Sequence, residues 1–425
     1  MKAKVLALVI GGMFVSSVMA DVNAQVAALQ QQVNQLQSEL NSNVSGGSGT
    51  LSQTVNAVNR NVFDDYNQPF GNLPNTGLSY ALMQQQDDYK SLFTLGGYLE
   101  ADLQQQGGDN INASLVPAGS TYPDETAFAA TTAKLYFLAN PNSWTQAFIT
   151  VKGGLNGNST SVSEAFLNFG NFNELPLYLT VGKTYLPFGI FNGGGPWSNT
   201  LLTNAFRSVE MSQVILGFGK NGLNTSLAVY DNSSSLSDFS YNLQYGANVG
   251  DFSFSTGAAY ENSVQGTDGG VGGAYTVNGG SLSGNKNGAI DLNGQVSYNL
   301  GNNQALGLSA EWVTTTGSAT LNNVSTGKMS SWQTTGTYSL PIMGANTLFG
   351  LGYSQTTNMQ NVPLSANGAI TATTTPSITG AKHEWLLYAT SEVLNNFYVG
   401  PEYSNIKLYN GQSTWTGTLD LSLYF

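Results

Sequence analysis

The sequence predicts an all-β chain: a 16-stranded antiparallel transmembrane β-barrel, with a short coiled-coil helix ahead of it. Three observations predict it. First, Ser413 to Phe425 alternates strictly, with Trp415, Gly417, Leu419, Leu421, Leu423 and Phe425 on one face and Thr416, Thr418, Asp420, Ser422 and Tyr424 on the other. Period-two alternation means a strand with one apolar and one polar side. Alone, such a run also fits the edge of a soluble sandwich. Second, only 9% of the 425 residues are charged, while 11% are aromatic and 50 are Gly. Soluble domains carry about 25% charge, whereas a barrel needs aromatic girdles and polar loops. The mean hydropathy of −0.11 is no objection, because barrels put their lipid face in every second residue. Third, the connectors between alternating runs sort by length, as described below.

The elements follow in chain order. Residues 1–20 read as a secretory leader, with Lys2 and Lys4, an apolar core from Val5 to Val15, and a small-residue cleavage site at Val18-Met19-Ala20. The apolar run of about fifteen residues falls short of the roughly 20 that a spanning helix needs. Removing this leader takes the formal charge from −12 to −14, which argues against nucleic acid as a partner. In 21–41, Val26, Val33 and Leu40 fall seven apart, as do Val22, Leu29 and Leu36. This a/d heptad gives a periplasmic coiled coil with the seam Val26, Leu29, Val33, Leu36 and Leu40. Val at a and Leu at d lean towards a parallel dimer, but uncharged flanks leave the number of helices open. A single amphipathic helix docked elsewhere is the alternative. Residues 42–91 read as a Gly/Ser/Asn linker followed by an irregular periplasmic stretch, with a short helix expected from Leu78 to Gln86.

The barrel occupies 92–425. Strands are expected at 92–106, 127–139, 144–156, 160–170, 176–186, 206–217, 222–231, 239–249, 252–262, 288–299, 304–316, 329–340, 345–358, 382–392, 396–406 and 413–425. An even number suits a closed bacterial barrel. Connectors after even-numbered strands are short, such as Gly250-Asp251 and Gly301-Asn302-Asn303. The long ones, 107–126, 187–205, 263–287, 317–328 and 359–381, all follow odd-numbered strands. A sandwich has no reason to segregate loops this way. The layout implies both termini in the periplasm and long loops outside. It leaves too few residues for a 22-stranded receptor with a plug domain.

Parity then sorts the charges. Phe93, Leu95, Leu99 and Leu103 share the lipid face, so Glu100 and Asp102 point inward. The same rule puts Asp420, Glu402, Glu384 and Glu392 inside, as a wall of carboxylates around the closing strands, and puts Glu311 inside as well. Lys134 and Lys152 take inward parity on strands two and three, with Glu164 on strand four. Opposed acidic and basic walls set up a transverse field that orients charged solutes. The alternative is that these charges sit inside only because lipid would penalise them by about 2–4 kcal/mol.

Loop 187–205 is long and Gly-rich and carries Phe188, Phe191 and Trp197. It is the expected constriction loop, and its aromatics could stack on a planar or apolar solute. An ordinary external cap is the alternative. Lys183 has lipid-side parity. Catalysis and bound cofactors find little support. There is no Cys, and the single histidine, His383, shares parity with Trp385 and faces outward. No residue set suggests a metal, since loop 263–287 holds Asp268 alone.

Gly182-Lys183-Thr184-Tyr185-Leu186-Pro187-Phe188-Gly189 resembles a G-K-x-x-x-P-F-G pattern of sixteen-stranded porin families. The arrangement of leader, Gln-rich coiled coil, linker and L-F-T-L-G-G-Y-L-E-A-D at Leu92 to Asp102 resembles the LbtU-type siderophore porins of gammaproteobacterial outer membranes. The resemblance spans nearly the whole chain after the leader. It implies passage of a ferric siderophore across the outer membrane without a plug domain, and it assigns no ligand residues. The expected partners are outer-membrane lipid, a small-molecule solute and, by analogy with other porins, two further copies in a trimer. A general diffusion porin, mildly cation-selective, and a structural protein tethering envelope layers are the competing readings.

Overall fold

The computed structural model describes residues 78–84, 92–109, 125–153, 160–208, 210–231, 236–265, 270–272, 287–321, 324–365 and 377–425. The leader, the coiled-coil seam residues Val26, Leu29, Val33, Leu36 and Leu40, and the linker up to residue 77 lie outside the described residues.

Sixteen antiparallel strands close into a barrel. They are β1 (Phe93–Gly108), β2 (Glu125–Asn142), β3 (Thr145–Lys152), β4 (Ser161–Asn171), β5 (Leu175–Thr184), β6 (Met211–Lys220), β7 (Leu223–Asp231), β8 (Leu236–Val249), β9 (Phe252–Glu261), β10 (Ala289–Gly301), β11 (Gln304–Leu321), β12 (Val324–Ile342), β13 (Ala345–Thr357), β16 (Ala381–Leu394), β17 (Phe397–Leu408) and β18 (Ser413–Tyr424). The strands β14 (Pro363–Ser365) and β15 (Ser377–Thr379) pair only with each other, inside the connector that joins β13 to β16. Every expected strand has its counterpart. Closure brings the two ends of the sheet together, with Leu99 opposite Leu423, Asp102 opposite Asp420 and Gln106 opposite Thr416. The ring leaves no unpaired edge, which is the condition for crossing lipid with strands. Among the described residues no helix is long and apolar enough to cross a membrane.

Alternation dictates the two faces. On β1, Phe93, Leu95, Leu99 and Leu103 are exposed outward, while Glu100, Asp102, Gln104 and Gln106 are buried inward. Outward aromatics gather at two heights. Trp332, Tyr353 and Trp385 pack ring to ring at 4.7–5.2 Å. Nearer the short turns, Phe252 packs on Tyr298 at 4.5 Å and Tyr245 on Phe254 at 6.2 Å. Such paired belts mark the two interfaces of a membrane. The short turns are built from left-handed residues. Asn221 (φ 52°) and Gly222 (φ 79°) form the turn between β6 and β7, and two successive positive φ values match the twist of the strands they join.

Three boundaries depart from the sequence reading. The stretch expected as a loop at 317–328 is mostly strand, because β11 runs to Leu321 and β12 starts at Val324. Small Thr, Ser and Gly residues that resemble loop composition instead pair as a ribbon, with Ser318 opposite Lys328. The sixth strand begins at Met211 rather than residue 206. The residues before it, Leu201–Phe206, form a helix, α2, because their apolar side chains are all needed on one compact knot. The expected helix near Leu78 is present as α1, Leu78–Gln84.

Candidate functional site

The barrel interior is the candidate site, and two segments occupy it. The first is α1. Its Leu78 and Leu82 pack on Tyr98, Tyr136, Leu138, Phe148 and Phe166 of β1 to β4. Tyr80 and Met83 pack on Tyr178 and Ile215 of β5 and β6. The amides of the wall hold its backbone, with Gln146 Nε2 donating to Leu82 O at 3.2 Å and Asn168 Nδ2 to Ser79 O at 3.0 Å. These inward apolar side chains break the polar parity of a wet lumen. They exist because a helix covers them. Burial pushes the Tyr80 phenol up to about 12, so it stays protonated and accepts from Gln84 Nε2 at 2.8 Å.

The second segment is the connector between β5 and β6, residues 185–210. It crosses to the far wall and is held there by three carboxylates. Glu311 of β11 accepts the backbone N–H groups of Ile190 at 2.7 Å and Phe191 at 2.9 Å, plus Gln333 Nε2 at 2.8 Å. Glu402 of β17 accepts Trp197 N–H at 3.0 Å and Ser198 N–H at 3.1 Å through one oxygen. Glu384 of β16 accepts Leu201 N–H at 3.0 Å, Ser354 Oγ at 3.2 Å and Ser404 Oγ at 2.9 Å. Successive N–H groups aimed at one anion form the concave nests that favour carboxylates, and charge-assisted bonds of this kind are about twice as strong as neutral ones. Thr335 Oγ1 donates to Gly193 O at 3.1 Å, and Asn192 Nδ2 to Gln295 Oε1 at 2.7 Å. A Cβ on Gly195 would stand 2.2 Å from the Glu402 carboxylate, so only glycine lets the chain come this close. Thr200 caps α2, accepting from Thr203 N at 3.3 Å.

The loop also builds an apolar core inside the ring. Phe188, Leu201, Leu202 and Phe206 pack with Val313 and Met329 of the wall, and with Val264, Met359 and Leu364 from the long connectors. Burial of this set closes the long-loop end over α2. The aromatics of the loop therefore divide: Phe188 and Phe191 are buried in that core, and Trp197 is half-buried. The first two present no face to a solute, which corrects the stacking role expected of them.

The charges chosen by parity separate into five settings. Glu311, Glu384 and Glu402 are buried and committed to the loop backbone. Glu164 of β4 is buried and accepts Thr184 Oγ1 at 2.8 Å. Glu392 is half-buried at a short turn, where it accepts Asn396 N–H at 2.9 Å. It belongs to turn geometry rather than to a wall, because β16 ends two residues later. Glu100, Asp102 and Asp420 are buried together where β1 meets β18. Lys134 and Lys152 are register neighbours on β2 and β3, the first half-buried and the second exposed. Lys183 is half-buried and donates to Val162 O at 3.2 Å. His383 lies outward beside Tyr353, with ring centroids 6.1 Å apart.

Sequence reasoning located the loop and its carboxylates separately and missed their union. It also missed Gln333, Ser354, Asn168 and Gln146, which bond the loop or α1. Their inward parity was available, but nothing local says which inward amide meets backbone rather than water.

The architecture is a closed 16-stranded antiparallel barrel that resembles outer-membrane porins, and comparison with known proteins agrees on the fold. Solved structures that share the fold over most of this chain include DcaP and OmpF. The outer-membrane channel DcaP of Acinetobacter baumannii is 13% identical with a TM-score of 0.50, covering 78% of this chain and 97% of that one. OmpF of Salmonella typhi, solved in complex with daunomycin, is 14% identical with a TM-score of 0.51 over 78% of this chain and 97% of that one. At such identities the likeness shows the fold. The family model described as "Protein of unknown function (DUF3573)" matches residues 63–270. A "UPF0422 protein" of Coxiella burnetii (strain RSA 493 / Nine Mile phase I) is 27% identical over 151 residues, 33% of this chain. The match spans 31% of that relative's length.

Proposed function

We propose that this chain is an outer-membrane porin that admits a small anionic solute through a lumen narrowed by the 185–210 loop, with ferric siderophores as the solute class. The observation that carries the proposal is the seating of that loop on Glu311, Glu384 and Glu402. The loop covers these carboxylates, and the dipoles of its backbone N–H groups offset part of their field on an anion. Lys134 and Lys152 stand on the β2–β3 wall, across the ring from β11. The resemblance to siderophore porins supplies the solute class. In this reading the long loops are external, both termini are periplasmic, and residues 21–41 bundle the periplasmic ends of a trimer.

Planar-bilayer recording of the purified protein tests it. The expected result is a small unitary conductance, a reversal potential on the anion side in a salt gradient, and block by added ferric siderophore. Cation selectivity with no block defeats the reading and leaves a general diffusion porin. Radiolabelled iron–siderophore uptake that is equal in cells with and without the protein removes the siderophore while keeping the channel. Deleting 21–41 tests the tethering reading, which requires a loss of envelope integrity.

A further inference from the structure

We propose that Glu100, Asp102 and Asp420 hold one hard divalent cation, of the calcium class, across the seam where the first strand meets the last. Each of these carboxylates offers an oxygen within 4.8 Å of the others. Asp102 and Asp420 are direct register partners on β1 and β18, and Glu100 pairs with Ser422 on the same inward face. Asp102 is 0% and Asp420 1% exposed.

Proton accounting points to the ion. Glu100 is supplied by the Tyr98 hydroxyl and by Thr132 Oγ1 at 3.1 Å. Thr131 Oγ1 lies 2.5 Å from Glu100 Oε1 and also meets Asp102 Oδ2. Its single proton satisfies only one of them. Ser422 Oγ donates to Asp420 Oδ1 at 2.6 Å. That leaves Asp102 Oδ1 and Asp420 Oδ2 buried with no hydrogen-bond partner among the described residues. A buried carboxylate oxygen without donor or cation is costly, and here two of them share one pocket of negative charge. Lys134, opposite Tyr98 on the same face, offsets at most one of three charges.

The backbone prepares the place. A bulge in β2 opposite Glu100 and Ala101 inserts Thr131 as an extra residue. Bulges re-aim side chains, and this one turns two adjacent threonine hydroxyls towards the acids. The donor set is all oxygen, three carboxylates with hydroxyls beside them. That suits calcium, which takes 6–8 oxygens at about 2.3–2.6 Å in flexible geometry. It does not suit zinc, which favours nitrogen and sulfur. The sequence carries no local motif for the site because its ligands come from the two ends of the barrel, brought together by closure alone.

The test uses the full mature chain, folded in detergent, stripped with EDTA and titrated with CaCl2 by isothermal calorimetry. We expect one calcium per chain, and a melting temperature that climbs with the logarithm of free calcium above Kd. Asp102→Asn and Asp420→Asn should each weaken calcium binding at least tenfold. In EDTA each variant should melt at or above the wild type, because a repelling charge is gone. Terbium luminescence from Tyr98 gives an independent readout on the wild type, whatever the variants do. The proposal is overturned if the stripped wild type takes up no calcium in the millimolar range and melts at the same temperature with and without it. An infrared band of protonated carboxyl that disappears in Asp420→Asn and persists in saturating calcium also overturns it, since shared protons then satisfy the acids.

Discussion

Single side chains decide how the lumen is divided. Glu402 is the clearest case, since one oxygen takes two loop N–H groups. Glu402→Ala leaves those donors buried and unpaired at about 1–3 kcal/mol each. The loop should lift, and single-channel conductance should rise with broader current noise. Glu402→Gln should do nearly as much, because its amide carries donors into a nest of donors. Gly195→Val should give the same phenotype from the other side of the contact, since its Cβ collides with the Glu402 carboxylate. Gly336→Ala on β12 is the control, because nothing lies within 4 Å of its Cβ position. For the basic wall, the double variant Lys134→Glu with Lys152→Glu should shift the reversal potential from the anion to the cation side. Full retention of anion selectivity would remove these lysines from the solute's path.

Elements were legible from sequence in proportion to how much of their character is local. All sixteen strands announced themselves by alternation, because lipid on one side and polar contacts on the other impose period two. Loop composition misled only where a ribbon is built of Thr, Ser and Gly, as at 317–328. The helix α1 was visible as a short apolar run, but its seat was not. Tyr136, Leu138 and Phe148 take inward parity like any luminal residue, yet they pack on α1. The docking of α1 rests on aromatic contacts, with Tyr80 5.7 Å from both Phe172 and Tyr178, and on the Gln146 and Asn168 amides. Tyr80→Ala combined with Asn168→Ala removes packing and one bond, for a loss of about 3–5 kcal/mol in docking. Limited proteolysis should then cut ahead of Leu92 faster while the barrel stays resistant. An unchanged cleavage rate would mean that flanking contacts, and not these, hold the helix.

At the scale of the molecule, closure is the decisive event. At the seam, Gly97 N–H donates to Phe425 O at 2.7 Å, and Phe425 N–H to Gly97 O at 3.1 Å. Deleting Phe425 removes both bonds and the last outward aromatic. A smaller fraction of the deletion variant should run as the compact, heat-modifiable species on cold SDS gels, with slower insertion into lipid vesicles. Local pattern carries the strand number, the two faces and four of the five long connectors. Each of these follows from a repeat within a few residues or from the solvent each face meets. Tertiary structure alone decided that inward carboxylates grip a loop, that inward aromatics cover a helix, and that acids more than three hundred residues apart in the chain share one pocket. Parity tells a side chain which way to point. What it meets there depends on the far wall, and only a closed ring fixes the distance to that wall.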